Sequence, residues 1–171
     1  MAHAGYLLVP LAAVGAQPEL IGEAVTATIG YLVLYLALTL GAFACVTAAG
    51  VTDVADFRGL ARRSPLVGGA LAVFLLGLAG LPPALAGLVA KVVVLRSALL
   101  GGAGWLAVAV AVNTVIGLAY YLPLATAAVA ERGEPAPRLR LAPSLAVAVG
   151  GALVVVLVLS IAPQLALGLA H

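Results

Sequence analysis

The sequence has 171 residues, of which 65% are hydrophobic and only 8% carry a formal charge. Soluble domains carry about 25% charged residues, so this chain has too few charges to cover a soluble globule of its size. The composition therefore excludes a soluble enzyme and a disordered segment, and a net charge of +2 with scattered arginines excludes a nucleic-acid partner. The single cysteine, Cys45, excludes a disulfide framework and a cysteine-based metal cluster. The sequence predicts an all-α, polytopic membrane protein in contact with the lipid bilayer, with residues 1–171 forming a single membrane domain.

Five apolar segments follow one another along the chain, and a membrane span needs about 20 such residues. The first segment is short, and the third is too long for one straight span. As a single helix the third would measure about 52 Å, whereas the hydrocarbon core of a bilayer is about 30 Å thick. The segments comprise residues 1–16, 24–50, 66–100, 104–130 and 142–169.

The third segment is interrupted in its middle by Gly80, Pro82 and Pro83. Each proline lacks a backbone N–H and clashes with the preceding turn, so the helix must break there. Two arrangements are compatible with this break. The segment forms either one crossing made of two half-helices or a hairpin of two short spans.

The arginines in the loops favour the first arrangement. Six arginines lie before the third segment and after the fourth, and the loops after the first and third segments contain no Lys or Arg. All six fall on one side of the membrane only if the third segment crosses once, which the positive-inside rule favours. We therefore expect about five spans, the third of them discontinuous, with the arginine loops cytoplasmic and the C-terminus outside. The six residues are Arg58, Arg62, Arg63, Arg132, Arg138 and Arg140.

The loop between the second and third segments has two interpretations. Asp53 is a residue type that caps helices, and Phe57 and Leu60 fall near helical spacing. A short helix at the membrane interface, with Arg58 and Arg62 on its wet face, is therefore one interpretation. An ordinary basic connecting loop is the other.

Lys91 is the charged residue that lies deepest in an apolar segment. It follows the proline break and precedes the loop at Gly101 by nearly three helical turns of about 5.4 Å each. No acidic residue occurs between Asp56 and Glu131, so Lys91 has no acidic partner near it in the sequence. Because a lysine near the bilayer centre costs about 2.5–3.5 kcal/mol, we expect it to face a protein interior or a hydrated channel. The alternative is a side chain that extends to the interface. A helix break beside an intramembrane ionisable residue is typical of ion-coupled transporters.

Five blocks of the sequence resemble one family of membrane proteins. The block at residues 77–91 resembles the broken-helix motif of the antiporter-like membrane subunits of respiratory complex I, the bacterial NADH:quinone oxidoreductase. The order and spacing of all five blocks best fit the subunit N family. The other four blocks lie at residues 2–6, 40–43, 57–65 and 113–122.

The resemblance implies roles for several polar residues. In the family, the lysine of this broken helix relays protons along a central hydrophilic axis, and Lys91 takes its position. His3 matches a histidine on the same axis, with a packed or terminal histidine as the alternative. Further candidates for a polar channel lining are Tyr35, Asn113, Tyr120 and Tyr121. For the last two the alternative is anchoring at the membrane interface, and for Asn113 it is hydrogen bonding between helices.

The sequence departs from the family in length and in one spacing. The chain resembles about the last third of a family member, which indicates a C-terminal fragment without the family's first broken helix. The spacing from Pro82 to Lys91 is one residue longer than the family's. Lys91 keeps its orientation only if the unwound stretch near Ala84 absorbs the extra residue, because one added helical residue rotates a side chain by about 100°.

The resemblance implies that this chain is a subunit of an enzyme complex and that the chain itself has no redox site. The sequence contains no Gly-rich dinucleotide loop and no cysteine cluster. Quinone, NADH, FMN and iron–sulfur clusters are therefore expected in partner subunits, and other membrane subunits of a respiratory complex in a bacterial plasma membrane are the expected partners. The alternatives are a cation/proton antiporter or membrane-bound hydrogenase subunit of the same superfamily, and an inactive truncated bundle.

Overall fold

The computed structural model describes residues 2–51, 53–130, 139 and 141–162. Within these ranges the chain forms α-helices and short 3-10 turns and contains no strand, which confirms the predicted all-α fold class. The helices are α1 (Ala2–Ala13), α2 (Ile21–Ala49), α3 (Leu60–Arg63), α4 (Pro65–Ala79), α5 (Ala86–Leu100), α6 (Gly104–Val129) and α7 (Pro143–Ile161).

Within the described residues, helices α2, α6 and α7 are each long and apolar enough to cross a membrane. The third predicted segment instead forms α4 and α5, which have 15 residues each and are separated by residues 80–85. A helix of that length measures about 22 Å, which is shorter than the hydrocarbon core. Each half alone is therefore shorter than a membrane span.

The buried residues form two clusters at different levels of the bundle. In the first, α4 packs against the C-terminal halves of α2 and α6, where Cys45 and Ala128 are fully buried. In the second, α5 packs against α1 and the N-terminal halves of α2 and α6, represented by Leu34 and Val110. Because α4 and α5 occupy successive levels along the same two neighbours, they lie one beyond the other in the bundle, not side by side as a hairpin.

The loops that flank the long helices meet at two ends of the bundle. At one end, the Gly59 N–H donates to the Ala130 carbonyl at 3.0 Å, and the Leu139 N–H donates to the Arg63 carbonyl at 2.9 Å. The loop after α2 and the loop after α6 therefore lie together. At the other end, Gly101 lies so close to the Ala13 carbonyl that a Cβ on Gly101 would overlap it. The connections after α1 and after α5 are therefore neighbours as well.

The loop between α2 and α4 does not form the single helix that was one of its two interpretations. It contains a 3-10 turn at Val54–Phe57 and the four-residue helix α3, and the Asp53 side chain makes no capping hydrogen bond. Gly59, with φ of 76°, divides the loop into these two pieces, so a single interfacial helix capped by Asp53 is wrong. The Arg58 side chain is nevertheless exposed, and Phe57 and Leu60 are buried.

The predicted segment boundaries shift by a few residues. Helix α1 ends at Ala13 instead of continuing to residue 16, and α2 starts three residues earlier than predicted. Helix α7 is described from Pro143 to Ile161. Residues 163–169 of the predicted fifth segment lie outside the described residues, as do Arg132, Arg138, Arg140 and the C-terminal His171.

Candidate functional site

The helix break leaves two backbone carbonyls without a partner in their own helix. At the end of α4, the Gly80 N–H donates to the Gly77 carbonyl at 3.0 Å and the Leu81 N–H donates to the Leu76 carbonyl at 2.8 Å. This is the Schellman arrangement, and it depends on Gly80, whose φ of 85° few other residues adopt. It satisfies two terminal carbonyls of α4 and leaves those of Leu78 and Ala79 free to accept hydrogen bonds.

Lys91, in the first turns of α5, donates hydrogen bonds to these two free carbonyls. Its Nζ donates to the Leu78 carbonyl at 2.7 Å and to the Ala79 carbonyl at 2.8 Å. Only 5% of the residue is exposed. A cation is favourable at the C-terminal end of a helix, where the carbonyl dipoles converge, and hydrogen bonds from a charged donor are stronger than neutral ones. The side chain therefore turns inward to the break and does not extend to the interface.

Three glycines make room for this contact. A Cβ on Gly80 would stand 3.3 Å from the Lys91 Nζ, and a Cβ on Gly87 would overlap the Gly77 carbonyl oxygen. A Cβ on Gly77 would in turn meet the Leu38 side chain at 2.6 Å. The end of α4 and the start of α5 therefore approach as closely as their backbones permit, and this brings Lys91 within reach of the two carbonyls.

His3 lies in a cluster of tyrosine rings near Lys91. Its Nδ1 shares a hydrogen bond of 2.7 Å with the Tyr31 hydroxyl, and 8% of the residue is exposed. The Tyr35 ring stacks on the imidazole with centroids 5.5 Å apart, and the rings of Tyr6 and Tyr121 lie at 5.4 and 5.8 Å. This packing holds the imidazole in one orientation, so His3 is an ordered part of the bundle interior.

Two cavities lie beside His3 and Lys91. The larger, of about 190 Å³, has room for several water molecules, and the smaller, of about 10 Å³, for about one. Both are lined by His3, Lys91 and Leu78, and the described lining of both contains no carboxylate. The remaining polar residues that line the larger cavity are Tyr6, Asn113, Thr114, Tyr120 and Tyr121.

The structure thus brings together most of the polar residues that the sequence singled out. Tyr35 lies against His3 and lines the smaller cavity, and Asn113 and Tyr121 line the larger one. Tyr120 lines the same cavity with 74% of its surface exposed, which suits a residue at the cavity mouth or at a membrane interface.

Sequence reasoning missed two tyrosines of the cluster. Tyr31 makes the hydrogen bond to His3, and the Tyr6 hydroxyl lies 3.4 Å from Thr114 Oγ1. Helical spacing offered a signal for both. Tyr6 lies three residues after His3, and Tyr35 lies four residues after Tyr31, so each pair shares one helix face.

The described residues contain no group of three His, Cys, Asp or Glu side chains arranged as metal ligands. Cys45 is a free thiol buried against α4. The chemistry that this arrangement can perform is proton transfer, because an ammonium group, an imidazole and several hydroxyls adjoin a space large enough for water.

An all-α bundle with long apolar helices, one interrupted helix and a lysine buried at the interruption has the architecture of a polytopic membrane protein. Comparison of the sequence with known protein families identifies the class of membrane protein. Residues 1–117 match the family described as "NADH:quinone oxidoreductase/Mrp antiporter, TM". Because the match covers more than half of the sequence, the chain belongs to this family.

Similar proteins carry one recurrent name. The chain is 48% identical to NADH-quinone oxidoreductase subunit N of Salinispora tropica over 74% of its length, and 46% identical to subunit N 2 of Streptomyces griseus over 71%. It is 38% identical to subunit N of Acidothermus cellulolyticus over 99% of its length. The alignments cover 26%, 23% and 33% of these relatives, so the chain spans about a quarter to a third of their length.

Proposed function

We propose that this chain forms part of the proton-translocating membrane arm of an NADH:quinone oxidoreductase and that Lys91 relays the proton. The observation that carries the proposal is the placement of the Lys91 ammonium group, which bonds to two carbonyls at the helix break and lines the same cavities as His3. The family match and the relatives named subunit N support the assignment to this complex.

The proposed relay runs between Lys91 and His3 through water in the cavities. The carbonyls of Leu78 and Ala79 stabilise the ammonium form of Lys91. Release of one proton leaves a neutral amine that still has two N–H groups for these carbonyls, so the side chain keeps its place for the return of a proton. Tyr31 holds the His3 imidazole through Nδ1, so that its orientation is the same in each transfer.

The redox chemistry is assigned to partner subunits in this proposal. Quinone reduction, NADH oxidation and electron transfer through FMN and iron–sulfur clusters take place there, and other membrane subunits of the complex flank this chain. A cation/proton antiporter subunit is the second candidate, since the family description also names the Mrp antiporter. Translocation that follows NADH oxidation supports the first candidate, and translocation that follows an applied sodium or potassium gradient supports the second.

We infer the orientation in the membrane from the arginines. The loop that carries Arg58, Arg62 and Arg63 bonds to Ala130 and Leu139, on either side of residues 131–138, at one end of the bundle. Placing this end in the cytoplasm satisfies the positive-inside rule. The connection that contains Gln17 then faces the outside of the cell.

Cysteine labelling tests this orientation. The Arg58→Cys variant is expected to react with a membrane-impermeant maleimide in inverted vesicles and not in intact cells. The Gln17→Cys variant is expected to react in intact cells and not in inverted vesicles. Both side chains are exposed, and the native Cys45 is buried and contributes little background. Labelling of both positions from the same side would contradict the topology, and reversed labelling would contradict the orientation.

The Tyr31→Phe substitution tests the role of His3. It removes the hydroxyl that bonds to His3 Nδ1 and preserves the ring, so we expect NADH-driven proton translocation to fall about fivefold, as for one lost hydrogen bond of ~1 kcal/mol. The matched control is Thr28→Val, which removes a hydroxyl from the same helix α2 that donates to the Leu7 carbonyl at 3.3 Å and lines neither cavity. Equal effects of the two substitutions, or none from Tyr31→Phe, would show that the hydrogen bond between Tyr31 and His3 has no role in the relay.

A further inference from the structure

The start of α5 receives its capping hydrogen bond from a distant helix. The residue before α5, Leu85, has no side chain that can cap a helix. The N–H of Ala86, the first residue of α5, instead donates to the Ser160 Oγ of α7 at 3.3 Å. The Ser160 hydroxyl donates in turn to the Val156 carbonyl at 2.7 Å. One side chain therefore both accepts from the helix break and anchors itself to its own helix.

The hydrogen bond from Ala86 to Ser160 lies where it can affect the position of Lys91. Ala86 precedes Lys91 by about one and a half turns of continuous helix, so a shift at the start of α5 moves the lysine with it. Leu159, the neighbour of Ser160, packs in the same buried cluster as Ala86. The Lys91 Nζ must reach two carbonyls at 2.7 and 2.8 Å, which leaves little tolerance for a shift of α5.

We infer that Ser160 is a positioning residue for proton transfer by Lys91. Its hydroxyl fixes the first residue of α5 against α7, and α5 then holds Lys91 at the end of α4. This inference rests on the proposed function of Lys91. It gives a role to α7, which lies beyond the residues matched by the family and has no motif of its own in the sequence.

Two isosteric substitutions separate the hydroxyl from the volume of the side chain. Ser160→Thr and Ser160→Val add the same bulk, but only threonine keeps an oxygen that accepts from Ala86 and donates to Val156. The matched control is Ser97→Ala, because the Ser97 hydroxyl donates to the Val93 carbonyl of its own helix at 3.0 Å and makes no bond across helices in the described structure.

Hydrogen exchange and proton translocation are measured on the assembled membrane complex. In Ser160→Val, amide exchange in a peptide covering residues 81–90 is expected to accelerate about fivefold, and NADH-driven proton translocation to fall by a similar factor. Ser160→Thr is expected to restore both toward the wild type. Ser97→Ala is expected to change neither.

Each other outcome overturns the inference. Unchanged exchange in Ser160→Val would show that the bond to Ala86 does not hold the break. Faster exchange with normal translocation would show that the bond does not position Lys91, and equal effects of valine and threonine would assign the result to bulk. If the proposed function itself is wrong, the Lys91→Ala variant translocates protons normally. The hydrogen-exchange result for the Ser160 variants does not depend on that outcome.

Discussion

Replacing Lys91 with alanine is expected to lower NADH-driven proton translocation and the quinone reduction coupled to it by at least ~100-fold, the scale of a lost general acid–base group. The substitution removes the ionisable group next to the cavity and leaves the carbonyls of Leu78 and Ala79 without their donor. Translocation is measured in inverted vesicles with a pH-sensitive dye, after the amount of assembled complex has been matched.

Two further variants separate the charge of Lys91 from its proton transfer. Lys91→Arg keeps donors for the two carbonyls but holds its proton much more tightly, so we expect it to retain only part of the rate. Arg96→Ala removes an exposed cation from the same helix and is expected to leave the rate near that of the wild type. Normal translocation by Lys91→Ala would show that another group carries the proton.

Gly87→Ala is expected to destabilise the helix break although alanine is the better helix former. A Cβ at this position would overlap the Gly77 carbonyl oxygen, so α5 must move away from α4. Overpacking of this kind costs about 1–3 kcal/mol, and the movement also withdraws Lys91 from its carbonyls. The measurements are the thermal stability of the purified complex and its proton translocation, both of which are expected to fall.

The matched control is Gly69→Ala, in the other half of the broken helix. A Cβ on Gly69 meets no atom within 4 Å, so this substitution is expected to leave stability unchanged or to raise it slightly. A stability loss of the same size in both variants would mean that the close approach of Gly87 to Gly77 has no special importance. An unchanged Gly87→Ala variant would lead to the same conclusion.

The sequence was sufficient to predict the elements whose cause is local. Long apolar runs predict α2, α6 and α7, because a membrane-length helix needs only continuous apolar residues. Gly80, Pro82 and Pro83 lie within residues 80–85, which separate α4 from α5. The loop around Gly59 was harder to predict, since its division into two short pieces depends on one residue with positive φ.

The contacts of the site depend on tertiary structure and have weaker signals in the sequence. Lys91 is bonded to backbone carbonyls, which every residue possesses, so no side chain near it in the sequence marks its partners. Tyr31 reaches His3 across 28 residues of chain, and Ser160 reaches Ala86 across 74. Such pairs become neighbours only when the helices pack, and a single sequence does not show which distant residues will then be in contact.

The access of water to the Lys91 side chain decides whether this residue can relay a proton. Lys91 is the one lysine in the 171-residue sequence, so 15N-lysine confined to this chain gives a single Nζ resonance in solid-state NMR. In the assembled membrane complex, we expect magnetisation transfer from water protons to this Nζ, together with dipolar contact to 13C-labelled carbonyls of Leu78 and Ala79. An Nζ resonance with no transfer from water would contradict a relay through Lys91, because a lysine sealed from water has no route by which to relay a proton.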